Sequence, residues 1–406
     1  MTMQGFGKLM SLKEARAILA GIVNDIPDER IPLDQALYRV LAEDIISELD
    51  VPHFRKSAMD GFAVIASDTF GAANTGPKTL RIMDCVAAGQ VSGKTLGPGE
   101  CIEITTGAPL PDGADAVVMV EYTEKENGCI SVYKSVAPWD NVIQIGSDVN
   151  KGSLVLTKGT RLGSRFTGVL AALGRKNVLV KKIPRVSVLS TGDEIVGLDQ
   201  EQVEGKVFDI NSRTLIDSIK EMHCLPVDLG VAGDDKELLK KKILEGVEKS
   251  DIVIISGGSS LGTEDLTRSV VEDLGKVLVH GIAVKPGKPV IIGQIRGKVF
   301  VGLPGYPTSA LSDFHILIKP AVQAMLGMEE ARNFVKAKLA RKVVSTTGRY
   351  EFLAVKLETG EEGLTAVPVM KGSSAITTLS SADGFVEIEE NIEVLNKGSL
   401  VKVGLF

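Results

Sequence analysis

The sequence predicts a multidomain chain of the α/β plus β class: an α/β layer with a mainly parallel sheet, a β-rich module ahead of it and a small C-terminal β-barrel or sandwich behind it. Three observations carry this. Between Pro184 and Leu326, short apolar runs alternate with stretches of helical periodicity, the pattern of strands joined by crossover helices. From about 50 to 140, Gly and Pro punctuate short β-rich runs, the texture of an all-β module. The last stretch, from about 328 onwards, returns to that texture. A length of 406 residues fits two to four domains.

Taken in order, Ser11-Leu12-Lys13-Glu14 reads as a capping box, with Ala15, Ile18, Leu19 and Ile22 following at helical spacing and Pro27 marking the end. Thr79–Ile82, Ile102–Thr105, Ala116–Val120 and Ile130–Val132 are the strand candidates of the β-rich module. Two further β-type stretches near 141–145 and 153–157 precede a helix at about 164–173. Val186–Leu189 opens the α/β part. A helix with Asn211 or Ser212 as cap and Leu215, Ile216 and Ile219 as its stripe follows. Val227–Val231 is the next strand, and Asp234-Asp235 opens a helix through Val247. Asp251–Ile255 is a near-continuous apolar run, as expected of a parallel strand buried on both faces. The last long helix is expected from about Thr308 to Met325. Ala337–Val344, Phe352–Leu357, Leu364–Val367, Gly384–Ile388 and Leu400–Val403 supply the C-terminal strands.

Composition excludes several classes. Hydrophobic residues make up 44% and charged residues 24%, ordinary for a globular chain. Aromatic residues are only 4%, the net charge is −6 and no long basic run offsets it, so a nucleic-acid partner is not expected. The four cysteines, Cys85, Cys101, Cys129 and Cys224, form no CxxC pair, which argues against a zinc site and for free thiols in a reducing compartment. The N-terminus lacks an apolar signal core and no run of about 18 apolar residues occurs, so no membrane association and a cytoplasmic location are expected.

Ligands of an open α/β sheet bind beyond the carboxyl ends of its strands. Three loops fall there: Thr191–Glu194, Ser256–Gly262 and Gly302–Ser309. Gly257, Gly258 and Gly262 permit close backbone approach, and exposed N–H groups with Ser hydroxyls can cradle phosphate oxygens, although a tight turn without ligand explains one such loop equally well. The spacing matches neither a Walker A loop nor a GxGxxG fingerprint. Glu264 and Asp265 close the loop, and Asp234 and Asp235 open the preceding helix. Carboxylates beside a phosphate cradle suit Mg²⁺, whereas Asp234 could instead serve as a helix cap. Lys285-Pro286-Gly287-Lys288-Pro289 sets two ammonium groups three residues apart on a Pro-stiffened turn, fit for an oxyanion or for a solvated surface. Arg349 is a further anion candidate. Asp60-Gly61 is a turn signal, and neither it nor the Thr105–Pro111 loop reveals a role by spacing alone.

Together these motifs resemble the MoeA family, the molybdopterin molybdenumtransferases, which includes the catalytic end of gephyrin-type proteins. The order SAMDGF at 57–62, TGAPLPDGAD at 106–115, STGDEI at 190–195, SGGSSLGTED at 256–265, KPGKP at 285–289, GLPGYP at 302–307 and GRYEF at 348–352 matches along nearly the whole chain. Many members have Asn where this chain has Tyr306.

The resemblance implies an enzyme that inserts molybdate into adenylyl-molybdopterin, releasing AMP, with Mg²⁺ required. It implies an elongated discontinuous N-terminal domain (1–50 and 140–182), an inserted β-rich domain (51–139), a molybdopterin-binding α/β domain (183–327) and a C-terminal β-barrel (328–406). It implies a homodimer whose cleft joins the α/β domain of one subunit to the β-rich domain of the other, and molybdopterin adenylyltransferase as a further partner. Carried onto this sequence, Asp60, Thr106, Glu194, Asp234 and Asp265 match positions linked to activity, with Asp234 and Asp265 as metal ligands. Ser256, Gly257, Gly258, Ser260, Gly262, Pro304 and Pro307 match the substrate-binding loops. Lys285, Lys288, Pro289, Arg349 and a hydroxyl at Thr378 match the oxyanion pocket. The alternatives are a tungstate-inserting homologue, a molybdopterin adenylyltransferase and a non-catalytic molybdopterin-binding scaffold.

Overall fold

The computed structural model describes residues 9–201, 203–257, 263–328, 334–361, 363–369, 372 and 374–406, the side chains of 263–265 excepted. The central sheet of the α/β part runs in the order Leu225–Ala232, Arg185–Thr191, Ile252–Gly257, Lys298–Leu303, Ile291–Ile295, Gly275–His280. The first four strands are parallel, and the last two add antiparallel. Side chains alternate strictly between faces. Val186, Val188, Ile252, Ile254, Val299 and Val301 enter one core, while Leu189, Val253, Ile255 and Phe300 enter the other. Leu215 and Ile219 of the Asn211–Glu221 helix and Phe314 and Leu317 of the last helical run cover the first face. Leu239 and Ile243 of the Lys236–Lys249 helix, with Val270 and Val271, cover the second. Burial on both faces is why these strands are nearly free of polar residues.

Local signals set the helix ends. The Leu12–Ile22 helix carries the complete Ser11–Glu14 capping box and sends Leu12, Ala15 and Leu19 into the first core. Asp235 caps its helix by accepting from the Leu238 N–H at 2.7 Å, which leaves the Asp234 side chain uncommitted to that role. The Asn211–Glu221 helix corrects an expectation: neither Asn211 nor Ser212 is the cap residue. The Asp209 carboxylate accepts from the Ser212 N–H at 3.0 Å, and Asn211 is free to turn its amide elsewhere. The last helical run starts at Pro307 and passes through a π-helical stretch, Phe314–Ile318, before Lys319–Met325.

Contacts divide the chain into two units: one takes in the stretches up to Ala42, Gly159–Gly163 and Asn177–Phe406, the other Glu43–Lys158 and Ser164–Lys176. The first unit also holds the C-terminal barrel. Phe334–Leu339, Tyr350–Gly360, Gly363–Pro368, Gly384–Ile388 and Leu400–Leu405 close on themselves around Leu353, Val355, Val386 and Val403. In the second unit a six-stranded sheet runs Ala116–Met119, Gly61–Val64, Glu100–Ile104, Lys78–Val86, Cys129–Val132, Thr123–Glu126. Gly61 is required there, because a Cβ would lie 1.9 Å from the Val118 carbonyl oxygen. Among the described residues no helix is long and apolar enough to cross a membrane.

Candidate functional site

The Arg185–Thr191 strand lies between Leu225–Ala232 and Ile252–Gly257, so the chain leaves it to one side and later returns to the other. Such a switch point opens a crevice at the carboxyl ends of the strands. A cavity of about 620 Å³ occupies it, lined by Thr191, Gly192 and Glu194 after the first strand, Asp234, Ser256 and Gly257, and Gly305, Tyr306 and Pro307. Gly257 has φ +133, and a Cβ there would lie 2.1 Å from the Thr191 carbonyl oxygen, so only glycine lets the two strand ends run side by side.

A polar network backs this cavity. The Asn211 amide donates to Ser256 Oγ and to the Gly305 carbonyl, both at 2.8 Å. Ser190 Oγ donates to Asp209 Oδ1 at 2.8 Å, and Ser256 Oγ to the Pro304 carbonyl at 3.2 Å. Among the described residues, two buried atoms on the wall have no hydrogen-bond partner: Thr191 Oγ1 and Asn211 Oδ1. Buried polar atoms are normally satisfied, so these are a donor and an acceptor suited to a bound polar ligand. At the cavity edge, burial and then the Asp193 and Glu194 carboxylates hold the Asp234 carboxyl above its ordinary range. The Asp234 N–H donates to Asp193 Oδ1 at 3.0 Å. Among the described residues no group of three or more His, Cys, Asp or Glu side chains converges to hold a metal ion, so the expected Asp234 and Asp265 ligand pair is not assembled by these side chains alone. The backbone of Asp265 lies in the Thr263–Leu274 helix. Its side chain, and Gly258, Ser260 and Gly262, lie outside the described residues.

A second cavity, of about 610 Å³, lies beside the Lys285–Pro289 loop and shares Tyr306 with the first. Val284–Lys285 joins the barrel strand Tyr350–Gly360 in parallel, which sets Lys285 opposite Glu351. Lys285 Nζ lies 3.2 and 3.3 Å from the two Glu351 carboxylate oxygens, and Ser345 Oγ donates to Glu351 at 2.7 Å. Pro289, Pro304, Ser309 and Thr378 line the same space, and Thr378 Oγ1 is buried with no hydrogen-bond partner among the described residues. Lys288 and Arg349 are not among the lining residues. The Lys288 carbonyl accepts from the Ile282 and Val290 N–H groups at 3.1 Å and so turns the loop, while Arg349 stands just before the barrel strand.

In the other unit, Asp60 precedes the Gly61–Val64 strand and Thr106 follows Glu100–Ile104, and the antiparallel register Gly61↔Ile104 brings them together. Asp60 Oδ1 accepts from the Thr106 N–H at 2.6 Å and from Thr106 Oγ1 at 2.9 Å. These bonds hold the Asp60 carboxyl below its ordinary range.

Sequence reasoning did not single out Glu351 or Asp313 and gave Asn211 only a capping role. A lone acid within the apolar Ala310–Ile318 segment was the available signal for Asp313. Glu351 falls on the buried phase of its strand, which periodicity could have shown.

Three family models match the chain. "MoeA N-terminal region (domain I and II)" matches residues 10–174, "Probable molybdopterin binding domain" 187–324 and "MoeA C-terminal region (domain IV)" 336–406. The chain is 33% identical to the molybdopterin molybdenumtransferase of Bacillus subtilis, over 92% of this chain and 89% of that one. It is 32% identical to that of Haemophilus influenzae, over 98% of this chain and 99% of that one. The crystal structure of the molybdopterin biosynthesis MoeA protein from Pyrococcus horikoshii matches with a TM-score of 0.85 at 45% identity, covering 98% of this chain and 99% of that one.

Proposed function

The chain belongs to the MoeA family, and from that membership we propose that it is a molybdopterin molybdenumtransferase, inserting molybdate into adenylyl-molybdopterin with release of AMP in molybdenum cofactor biosynthesis. The observation that carries this reading is the pairing of two cavities across Tyr306: among the described residues, one has two unpartnered polar atoms and an acidic edge, the other a lysine loop and an unpartnered hydroxyl.

In this reading the Ser256–Gly257 turn, Thr191 Oγ1 and Asn211 Oδ1 bind and orient the adenylyl-molybdopterin. Lys285 holds molybdate in the second cavity through the donor capacity left over from Glu351, and Thr378 Oγ1 donates to an oxyanion oxygen. Lys288 and Arg349 add positive potential from the flanks. Holding both substrates in adjoining cavities turns an encounter between two solutes into a step within one complex, which is where most of the acceleration arises. Mg²⁺, held at Asp234 with Glu194 or Asp265, would supply Lewis-acid neutralisation of phosphate charge. We read the enzyme as a cytoplasmic homodimer of the four-part domain plan, with Asp60 and Thr106 serving the substrate of a second copy and molybdopterin adenylyltransferase as the source of substrate. The resemblance of the seven motifs supports this.

Incubation with adenylyl-molybdopterin, Mg²⁺ and either molybdate or tungstate, following AMP release and transfer of cofactor to an apo-enzyme, tests the proposal and distinguishes the metals. No AMP release with either oxyanion would leave only a binding scaffold.

A further inference from the structure

Asp313 closes the Pro307–Asp313 helix, and its side chain is 0% exposed. Among the described residues neither carboxylate oxygen has a hydrogen-bond partner. The carboxylate lies against Gly287, the middle of the Lys285–Pro289 loop: a Cβ on Gly287 would meet Oδ2 at 2.3 Å, Oδ1 at 2.4 Å and Cγ at 2.6 Å. Gly287 itself has φ +116, a conformation that glycine alone adopts readily. Both Gly287 and Ser312 line the second cavity, so the Asp313 carboxyl stands directly behind its wall.

A fully buried carboxylate with no donor is far less stable ionised than neutral, and burial alone pushes this one well above the ordinary range. The charged groups on the surrounding elements do not offset this. Lys285 on the loop is engaged by Glu351 of the barrel strand. Lys288 shares the loop with Gly287 but does not enter the cavity wall. His315, two residues further along the same helical run, is half-buried against Phe314, Phe385 and Phe406 and is held neutral down to about pH 4. On the Asn211–Glu221 helix packed beside it, Arg213 and Lys220 are taken up by Asp217.

We infer that Asp313 is a positioning residue of the oxyanion cavity: as a neutral acid it seats Gly287 and holds the Lys285–Pro289 loop in place, and on ionising it sets a negative charge behind the anion. The inference rests on reading this cavity as the oxyanion site. The sign follows directly. An ionised Asp313 repels the anion, so affinity falls as pH rises through its ionisation. Asp313→Asn keeps the shape and stays neutral at every pH, so it removes that fall. Asp313→Ala leaves Gly287 unsupported and weakens the oxyanion at all pH values, by about tenfold if the loop shifts by a fraction of an ångström.

Calorimetric titration with molybdate and with tungstate, from mildly acidic to mildly alkaline pH, compares the full-length wild type with Asp313→Asn and Asp313→Ala. In turnover, Asp313→Ala should raise the KM for molybdate while leaving kcat for AMP release nearly unchanged. Infrared spectra of protein with isotope-labelled aspartate carboxyls read the protonated acid directly, and the isosteric Asp313→Asn assigns the band to this residue. A carboxylic-acid carbonyl band at neutral pH, absent from Asp313→Asn, together with a flattened pH profile in that variant, is the expected result. Identical pH profiles for wild type and Asp313→Asn, or no such band, overturn the inference. If wild type binds neither oxyanion while the band is present, the reading of the cavity fails and the positioning role with it, but the buried neutral acid stands.

Discussion

Replacing Glu351 with Gln separates the two things that carboxylate does, which are to hold Lys285 and to oppose an arriving anion. Glu351 is 7% exposed and its oxygens lie 3.2 and 3.3 Å from Lys285 Nζ. A unit pair at this separation attracts by about 5 kcal/mol at an effective dielectric of about 20. Most of that does not survive as net stability. The Lys285 side chain is 42% exposed and screened by solvent, and Glu351 loses hydration on burial. Gln also keeps an acceptor for Ser345 Oγ. A net loss of about 1–2 kcal/mol remains, roughly 2–8 °C in Tm for a domain of about 150–250 residues. The same change removes a negative charge from the cavity wall and frees the lysine. Oxyanion affinity should therefore rise, by about threefold to tenfold. Thermal denaturation and calorimetric titration with tungstate, both repeated at raised ionic strength, give the two readings. Unchanged stability together with unchanged or weakened anion binding would refute the reasoning, because it would mean that the ion pair neither supports the loop nor competes with the ligand.

Gly257→Ala forces a Cβ to within 2.1 Å of the Thr191 carbonyl oxygen at φ +133, and urea denaturation should show a loss of at least about 3 kcal/mol, with ligand binding at the first cavity abolished. His315 has its pKa depressed to about 4 from 6.5 by burial and then by Lys319. The stability it permits is fully present above about 6.5 and is lost as pH falls towards 4, by about 3 kcal/mol, a loss that His315→Leu should abolish in denaturation curves taken across that window. Asp234 has the opposite displacement: its carboxyl is raised above 3.8, so the folded state is penalised as pH rises through the folded-state value. Asp234→Asn should therefore be more stable than wild type at neutral pH without divalent cations and indistinguishable below about 3.8. Mg²⁺ should raise the Tm of wild type and not that of the variant.

Part of this was written locally in the chain. The uninterrupted apolar run at Ile252–Ile255 announced a strand buried on both faces, because no polar residue survives there without a partner. Ser11 and Glu14 fixed a helix start by themselves, since a capping box is complete within four residues. Gly257 was visible as a place of close backbone approach and Lys285–Pro289 as a stiffened turn, and the motif order carried the family, whereas the need for glycine at 257 and 287 came from the packing around them. What the sequence could not contain is which side chain meets which. Asp235 rather than Asp234 became the cap, and Asp209 released Asn211 to brace Ser256, through choices between neighbours that propensity ranks equally. Lys285 found Glu351 66 residues away only because two strands pair in parallel in one register, and a shift of one residue would have turned that carboxylate to the other face. Asp313 stands out in sequence only as a lone acid in an apolar segment, and packing decides that it is buried against Gly287 with no hydrogen-bond donor among the described residues. Periodicity and caps are short-range and therefore legible, whereas charge state, partnership and the walls of the two cavities depend on burial and register, which the tertiary structure alone decides.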